Sequence, residues 1–271
     1  MDSAGIGSRV TYTASTVPSV VPYALSAESV GHAYGPHVTL HDVTLQVPEG
    51  HVVALVGESG SGKTTLLRCF NALLRPSRGR VRVLGADVET IRPELLRRRI
   101  GFVPQAGGLM PHWTVLRNAA LVPQLTGHAR PEAAATSALE LVGLPAAQFA
   151  TRFPHELSGG QRQRVALARA LAAKQSIVLL DEPFGALDAI SRAEMHAVFA
   201  EVRAELKFTA ILVTHDLGEA ARLADLIAVM RAGRIEQIGP LASLRTSPAT
   251  PYVSMLLAQA DAAHGALAGH S

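Results

Sequence analysis

The sequence predicts an α/β fold in which helices cover both faces of a largely parallel sheet. Short apolar strands alternate with helical segments through residues 38–105 and again after residue 175, a pattern typical of parallel sheets. A glycine-rich loop follows one of these strands and opens a helix. Between the two alternating regions, residues 106–175 favour helix, which predicts an inserted helical subdomain.

Composition sets the expected domain boundaries. Residues 1–26 are rich in Ala, Ser, Thr, Val and Pro without a clear period, so we expect a loose tail there. Residues 27–257 are expected to form one domain, because their length is ample for a single core. The stretch 258–271 is rich in Ala with Gly and Ser, and we expect it to fray.

In the first half, "VTLHDVTLQV" (38–47) alternates as a strand with one buried face does. "HVVALVG" (51–57) is a short apolar run ending in glycine, which predicts a strand buried on both faces. "KTTLLRCFNALL" (63–74) has helical spacing, and "PSRG" ends it. "RVRVLG" (80–85) and "IGFVPQ" (100–105) predict two further strands.

The second half shows the same alternation. Its predicted strands are "SIVLLDEP" (176–183), "TAILVTHD" (209–216), "LIAVM" (226–230) and "RIEQIG" (234–239). The helices predicted between these strands are "AEMHAVFAEVRAEL" (193–206) and "LGEAARLA" (217–224). The helices "EAAATSALELVGL" (132–144) and "QRQRVALARALAA" (161–173) belong to the predicted helical block. Strands that alternate with helices are connected in parallel.

Composition, charge and hydropathy exclude several classes of protein. Hydrophobic residues make up 48% and charged residues 17%, which excludes a wholly disordered chain. The basic cluster at residues 92–99 lacks interleaved aromatic residues, so we interpret it as a solvated helix face and expect no nucleic acid. No apolar run approaches the ~20 residues of a membrane-spanning helix, and no secretory signal is apparent. Cys69 is expected to pack in the core.

The stretch "GESGSGKT" (57–64) fits the pattern G-x-x-x-x-G-K-[ST] between a buried strand and a helix. Glycines let the backbone N–H groups turn inward around an anion, Lys63 supplies charge for the outer phosphates, and the Thr64 hydroxyl is placed for Mg²⁺. The predicted nucleotide-binding positions of this loop are Gly57, Glu58, Ser59, Gly60, Ser61, Gly62, Lys63, Thr64 and Thr65.

Two acids follow the buried strand "IVLL". Ligands of parallel sheets sit at the carboxyl ends of the strands, so Asp181 is expected to hold Mg²⁺ opposite Thr64. Glu182 points to the other side and is the candidate general base for an attacking water.

Three more residues are expected at the same rim. His215 ends another buried strand and is placed to reach the γ-phosphate. Gln105 ends "IGFVPQ" and is expected to contact the metal or the water. Tyr34, in "HAYGPH" ahead of the phosphate loop, is expected to stack on adenine.

"LSGGQRQRVALARAL" (157–171) opens a helix with Ser158, Gly159 and Gly160, and bare helix starts suit anions. With "GESGSGKT", "DE" at 181–182, His215 and "ALD" at 186–188, this stretch makes residues 26–257 resemble the nucleotide-binding subunits of ABC transporters. The resemblance implies a P-loop NTPase (RecA-like) core with a mostly parallel sheet, an antiparallel β portion and an inserted α-helical subdomain.

The resemblance also implies an ATPase that binds ATP and Mg²⁺ and works as a homodimer. Ser158, Gly159 and Gly160 would then donate to the γ-phosphate held by a second copy, and Gln161 would shape that surface. Asp188 would lie at the same interface and couple the two sites. A chain without a spanning helix would pass the motion to separate transmembrane permease subunits, so we expect it to be peripheral, on the cytoplasmic face of the cell (inner) membrane.

"GLMPHWTVLRNAALVPQLTGH" (108–128) is similar to the matching segment of ATPases that serve glycine betaine, choline and related osmoprotectant importers, which work with an extracytoplasmic solute-binding receptor. Met110 and Trp113 are expected either to receive a coupling helix of the permease or to pack locally. About 30 residues follow Gly239, too few for a regulatory domain, so ionic-strength sensing is not expected. The alternatives are an ATPase of another transporter, including an exporter, or a nontransport ABC ATPase acting on nucleic acid.

Overall fold

The computed structural model describes residues 22–268 and contains two sheets surrounded by helices. The strands are β1 (Tyr23–Tyr34), β2 (His37–Pro48), β3 (Val52–Val56), β4 (Arg78–Val83), β5 (Ala86–Asp87), β6 (Ile100–Val103), β7 (Ile177–Asp181), β8 (Thr209–Thr214), β9 (Leu226–Arg231) and β10 (Arg234–Gly239). The helices are α1 (Lys63–Phe70), α2 (Pro93–Arg97), α3 (Val115–Leu125), α4 (Pro131–Leu141), α5 (Ala146–Phe149), α6 (Gly159–Leu171), α7 (Ala189–Leu206), α8 (Leu217–Leu223), α9 (Leu241–Thr246) and α10 (Pro251–Ala268).

The larger sheet has six strands in the order β10-β9-β3-β8-β7-β6. All neighbours are parallel except β9 and β10, which form an antiparallel hairpin. Every residue of β3, β7 and β8 is buried, because helices cover both faces of these strands. The prediction of a mostly parallel sheet with buried apolar strands is therefore confirmed.

The smaller sheet is antiparallel, with the order β2-β1-β4-β5. Its central strand, β1, was not predicted, because "YALSAESVGHAY" (23–34) mixes small and polar residues and lacks a clear β pattern. Pairing with both β2 and β4 buries Leu25, Ala27 and Val30. The predicted tail at residues 1–26 is therefore wrong for residues 23–26, and residues 1–21 lie outside the described part.

The helical block consists of α3 to α6, within the predicted limits of 106–175. Val115, Ala119, Leu139 and Val165 lie in one buried cluster with residues of β7 and β8. The block therefore shares its core with the larger sheet.

At the other end of the chain, α10 runs to Ala268 and occupies most of the stretch expected to fray. Alanine has the highest helix propensity, so an Ala-rich stretch extends a helix that packing has already started. Tyr252, Val253 and Leu257 are buried against Val56 and Val229 of the sheet. The predicted tail 258–271 is thus wrong for residues 258–268, and residues 269–271 lie outside the described part.

The parallel strands bring three chain segments to one edge. The strands β3, β8 and β7 are neighbours in that order, and their carboxyl ends are Val56, Thr214 and Asp181. The loops that follow carry the predicted site residues, as expected for ligand sites of α/β sheets. Across residues 22–268, no helix combines the length and hydropathy needed to cross a bilayer.

Gly101 of β6 tests the contact between the sheet and α6. A Cβ atom added there would overlap the carbonyl oxygen of Ala170, which belongs to backbone and cannot move freely. We expect Gly101→Ala to lower the free energy of unfolding, measured by urea denaturation, by about 1–3 kcal/mol.

Gly31→Ala is the matched control. The three atoms nearest to a Cβ at Gly31 of β1 all belong to the flexible side chain of Arg78, which can swing away. Equal destabilisation by both substitutions would contradict the close packing of β6 against α6.

Candidate active site

The loop between β3 and α1 fits tightly against two neighbouring strands. A Cβ atom at Gly57 would overlap the carbonyl oxygen of Met230, at the end of β9. Gly62 has φ +98°, and a Cβ there would lie 2.9 Å from the carbonyl oxygen of Thr39 in β2. Only glycine allows this close approach, so the loop folds into a compact cradle of backbone groups.

The remaining loop positions divide by exposure. The exposed tip of the loop consists of Glu58, Ser59 and Gly60. The buried positions are Ser61, just before α1, and Thr65, in the first turn of α1.

Lys63 closes this cradle. Its Nζ donates to the carbonyl oxygens of Gly57 at 2.7 Å and Glu58 at 2.8 Å, and to Ser61 Oγ at 3.4 Å. Burial lowers the pKa of Lys63, and the nearby carboxylates of Glu182 and Asp181 only partly oppose that effect. An ammonium buried in this way is stabilised by additional negative charge, which phosphate oxygens supply.

The phosphate loop is joined to β7 by a short hydrogen bond. Thr64 Oγ1 donates to Asp181 Oδ1 at 2.7 Å, so the predicted partners do meet. Asp181 is 3% exposed, and burial raises its pKa although the Thr64 bond, Arg68 and Lys63 oppose the change. Asp181 also lines a cavity of about 400 Å³ with Gln105 and Arg68.

The chain reverses at Glu182. This residue adopts φ +45°, an unusual conformation for a non-glycine residue, and its N–H donates to the Val213 carbonyl oxygen at 3.0 Å. Strained backbone of this kind concentrates at functional sites. The two carboxylates have different partners, since that of Asp181 accepts from Thr64 and that of Glu182 accepts from Gln105.

Two predicted residues converge on the Glu182 carboxylate. Gln105 Nε2 donates to Glu182 Oε2 at 3.2 Å, and His215 Nδ1 lies 3.6 Å from the same oxygen. A carboxylate flanked by a side-chain amide and an imidazole can orient a water and accept its proton.

Tyr34 lies at the tip of the β1–β2 hairpin, where it pairs with His37. Its ring is 46% exposed and packs edge to face on His32, with centroids 4.7 Å apart. The same hairpin touches the phosphate loop where Thr39 approaches Gly62. An exposed aromatic face on this hairpin is consistent with the expected stacking role.

Ser158 is the N-cap of α6. Its Oγ accepts the Gln161 N–H at 3.2 Å, while Gln161 Oε1 accepts the Ser158 N–H at 3.0 Å, which forms a capping box. The N–H groups of Gly159 and Gly160 come next, and the first N–H groups of a helix have no partner inside it. Ser158 and Gly159 are exposed, whereas Gly160 is buried beside Ser191.

Asp188 caps the neighbouring helix α7. One carboxylate oxygen accepts the N–H groups of Ile190 and Ser191, each at 3.0 Å, and bonds to Ser191 and Ile190 lower the pKa of Asp188. Leu187 lies against Gly159, so the two helix starts are adjacent on one surface. Within residues 22–268 no hydrogen bond links this surface to the phosphate loop of the same chain.

The sequence did not single out two residues that hold the segment after Gln105. Asn118 is fully buried; its amide nitrogen donates to the carbonyl oxygens of Met110, Trp113 and Thr114, and its Oδ1 accepts the Met110 N–H at 2.8 Å. The available signal was a polar residue beside the apolar run "AALVP", in a block that favours helix.

Arg169 of α6 holds the start of the same segment. Its guanidinium donates to the carbonyl oxygens of Gly107 and Gly108, each at 2.7 Å. Burial lowers the pKa of Arg169, which is 7% exposed. An arginine on the buried face of "VALARAL" was the signal that the sequence offered.

Met110 and Trp113, proposed as contacts for a coupling helix, differ in exposure. Met110 is 38% exposed, whereas Trp113 is half-buried and stacks under the guanidinium of Arg117, whose Cζ lies 4.5 Å from the ring centroid. Trp113 therefore combines local packing with a partly accessible face.

Known proteins are similar to this chain in sequence. The family model described as ABC transporter matches residues 40–185. The sulfate/thiosulfate import ATP-binding protein CysA of Yersinia pseudotuberculosis serotype I is 43% identical over 252 residues, which cover 91% of this chain and 68% of that protein. The carnitine transport ATP-binding protein OpuCA of Listeria monocytogenes serotype 1/2a is 41% identical over 232 residues, which cover 84% of this chain and 58% of that protein.

Solved structures share the fold. A dimeric ATP-binding cassette in a post-hydrolysis state, bound to ADP and Pi, has a TM-score of 0.72 at 31% identity and covers 80% of this chain and 98% of its own. The structure of cbiO1 from Clostridium perfringens, part of the ABC transporter complex cbiONQ, has a TM-score of 0.75 at 27% identity and covers 84% of this chain and 92% of its own. The chain therefore belongs to the ABC transporter family and is an ATP-binding subunit that hydrolyses ATP.

Proposed function

We propose that this chain energises the import of a small solute by hydrolysing ATP at a site shared between two copies of itself. The observation that carries the proposal is the convergence of Gln105 and His215 on the Glu182 carboxylate, beside the Thr64–Asp181 bond. This arrangement supplies a proton acceptor next to a cradle for phosphates.

The oxygen ligands at the loop fit Mg²⁺. The Thr64 hydroxyl, the Asp181 carboxylate and the side-chain amide of Gln105 are hard ligands of the kind that this cation prefers. Across the described residues, no three His, Cys, Asp or Glu side chains form a metal cluster, so phosphate oxygens and waters would complete the shell. When bound, Mg²⁺ would neutralise developing phosphate charge, while Lys63 binds the outer phosphates.

In this proposal Glu182 accepts the proton of the attacking water. Gln105 and His215 contact the same oxygen of Glu182, so they would orient the carboxylate and the water. His215 would also interact with the transferred phosphate. Tyr34 provides an aromatic surface for adenine.

The signature helix supports a shared site. Ser158 and Gly159 are exposed at the start of α6, adjacent to the Asp188 cap of α7. The Ser158 N–H donates to Gln161, which leaves the Ser158 hydroxyl and the Gly159 N–H as donors for an anion. A second copy in head-to-tail contact would place these groups on the γ-phosphate held by the phosphate loop. The dimeric relative bound to ADP and Pi supports such pairing.

We propose that the motion of this dimer drives separate transmembrane permease subunits, with the chain peripheral on the cytoplasmic face of the inner membrane. Met110 and Trp113 offer an apolar contact on a segment that Asn118 and Arg169 hold to the helical block. An extracytoplasmic receptor would deliver the solute.

For the solute we propose a quaternary amine such as glycine betaine or choline. The similarity of residues 108–128 to osmoprotectant ATPases and the carnitine-transport relative support this choice. Sulfate is the second candidate, because a sulfate/thiosulfate import relative is 43% identical. The two solutes are distinguished by measuring the ATPase activity of the reconstituted transporter with receptors loaded with betaine or with sulfate. Only the receptor loaded with the transported solute should stimulate ATP hydrolysis.

Glu182→Gln tests the general base. The glutamine keeps the hydrogen bond to Gln105 within reach but cannot accept a proton at neutral pH, so we expect kcat to fall by roughly 10²–10⁴-fold. The Kd for ATP should change by no more than about threefold, measured by calorimetric titration.

Glu201→Gln is the control for Glu182→Gln, because Glu201 is exposed on α7 away from the site. Turnover of the Glu182→Gln protein at the wild-type rate would exclude Glu182 as the base.

Lys63→Ala and Ser158→Arg separate the two halves of the site. Lys63→Ala should weaken ATP binding by the isolated chain itself, since it removes the cation of the cradle. Ser158→Arg should leave that binding largely intact and block dimer closure, beyond the loss of about 1 kcal/mol from the helix cap. Fluorescent-nucleotide titration and light scattering measure the two effects.

Ser137→Arg, at an exposed position on α4, controls for an added arginine. If Lys63→Ala and Ser158→Arg weakened ATP binding by the isolated chain equally, the assignment of the signature to a second copy would be wrong.

A further inference from the structure

The phosphate loop is also held by the last helix of the described chain. Tyr252, in the first turn of α10, is 4% exposed, and its hydroxyl oxygen accepts the backbone N–H of Glu58 at 3.2 Å. The two residues are 194 positions apart in sequence. Tyr252 is absent from the predicted site, because no motif surrounds it.

The position of the Tyr252 ring is fixed from two sides. The guanidinium of Arg231 lies over the ring, with Cζ 4.7 Å from the centroid. The next residue, Val253, is fully buried against Val56 of β3 and Val229 of β9, the strands that flank the loop. The hydroxyl is therefore presented to the loop by a packed helix rather than by a mobile tail.

Both backbone groups of Glu58 are engaged. Its N–H donates to Tyr252, and its carbonyl oxygen accepts from Lys63 Nζ at 2.8 Å. An ammonium group has three N–H donors, and those of Lys63 contact three acceptors of its own loop. When Lys63 turns to a phosphate oxygen, it must release at least one of these acceptors.

The bond from Glu58 to Tyr252 does not depend on Lys63. It can hold the first turn of the loop in place while the ammonium is redirected. Burial raises the pKa of Tyr252, although the bond from Glu58 opposes the change, so the hydroxyl remains neutral at physiological pH. A neutral hydroxyl oxygen keeps lone pairs that can accept the Glu58 N–H.

We propose that Tyr252 is a positioning residue for the phosphate loop, and that it raises the nucleotide affinity of the loop through the hydrogen bond that its hydroxyl accepts from Glu58. Its hydroxyl keeps the Glu58 peptide in the orientation that receives ATP. The proposal requires only that the loop binds ATP, and it stands apart from the transported solute and from the permease.

The test compares Tyr252→Phe with Val253→Ala in the full chain. Tyr252→Phe removes only the hydroxyl, so we expect the Kd for MgATP and the KM to rise about three- to tenfold, with kcat within about twofold of wild type. Val253→Ala removes buried contacts of the same helix turn. It should lower the melting temperature by several degrees and leave KM unchanged well below that temperature.

Hydrogen exchange at the Glu58 amide gives an independent readout. In Tyr252→Phe, protection of this N–H should fall while protection of the α10 core amides is retained. An unchanged KM together with unchanged Glu58 protection would overturn the proposal. It would also be overturned if Val253→Ala raised KM as much as Tyr252→Phe, because the effect would then come from loosening α10 in general.

Discussion

The hydrogen bond between the Thr64 hydroxyl and the Asp181 carboxylate is the contact on which the rest of the site depends. It joins the start of α1 to the end of β7, and β8 separates β7 from the strand that leads into α1. The charged side chains of Lys63 and Asp181 are both buried. Burial lowers the pKa of Lys63 and raises the pKa of Asp181, so it favours the neutral form of each. A site that disfavours its own charges in this way gains from binding an anion and a cation together, which is what a metal–nucleotide complex provides.

The helix α6 connects two parts of the candidate site, the Ser158 cap and the segment that follows Gln105. Its N-terminus presents the Ser158 cap and the Gly159 N–H, while Arg169 near its other end grips the carbonyl groups of Gly107 and Gly108. These ends are about 15 Å apart at the rise of an α-helix. Gln105, which contacts Glu182, lies two residues before Gly107. The helix α6 thus joins the exposed Ser158 cap to the segment that follows Gln105, the partner of the Glu182 carboxylate.

The sequence predicted the parts of the fold that are governed by strong local patterns. The apolar runs of β3, β7 and β8 and the loop glycines identify buried strands and a phosphate cradle without tertiary information. Strand β1 was missed because its partners β2 and β4, rather than its own residues, stabilise it. The same holds for α10, whose Ala-rich end becomes helical only as a continuation of a docked turn.

The predicted site residues that belong to motifs come together in the structure. Where no motif marks a residue, the sequence prediction of the site is incomplete. Thr64 and Asp181 meet, and Gln105 and His215 share the Glu182 carboxylate, because parallel strands end at one edge. Tyr252 contacts Glu58 across 194 positions of the sequence, and no local pattern reveals such a contact.

The central claim is that each ATP is bound between the phosphate loop of one copy and the signature helix of another. The most direct measurement is the molar mass of the Glu182→Gln protein by size-exclusion chromatography with light scattering, with and without saturating MgATP. We expect a nucleotide-dependent shift from the 28.5 kDa of one chain to twice that mass. A mass that stayed at one chain under saturating MgATP would contradict it.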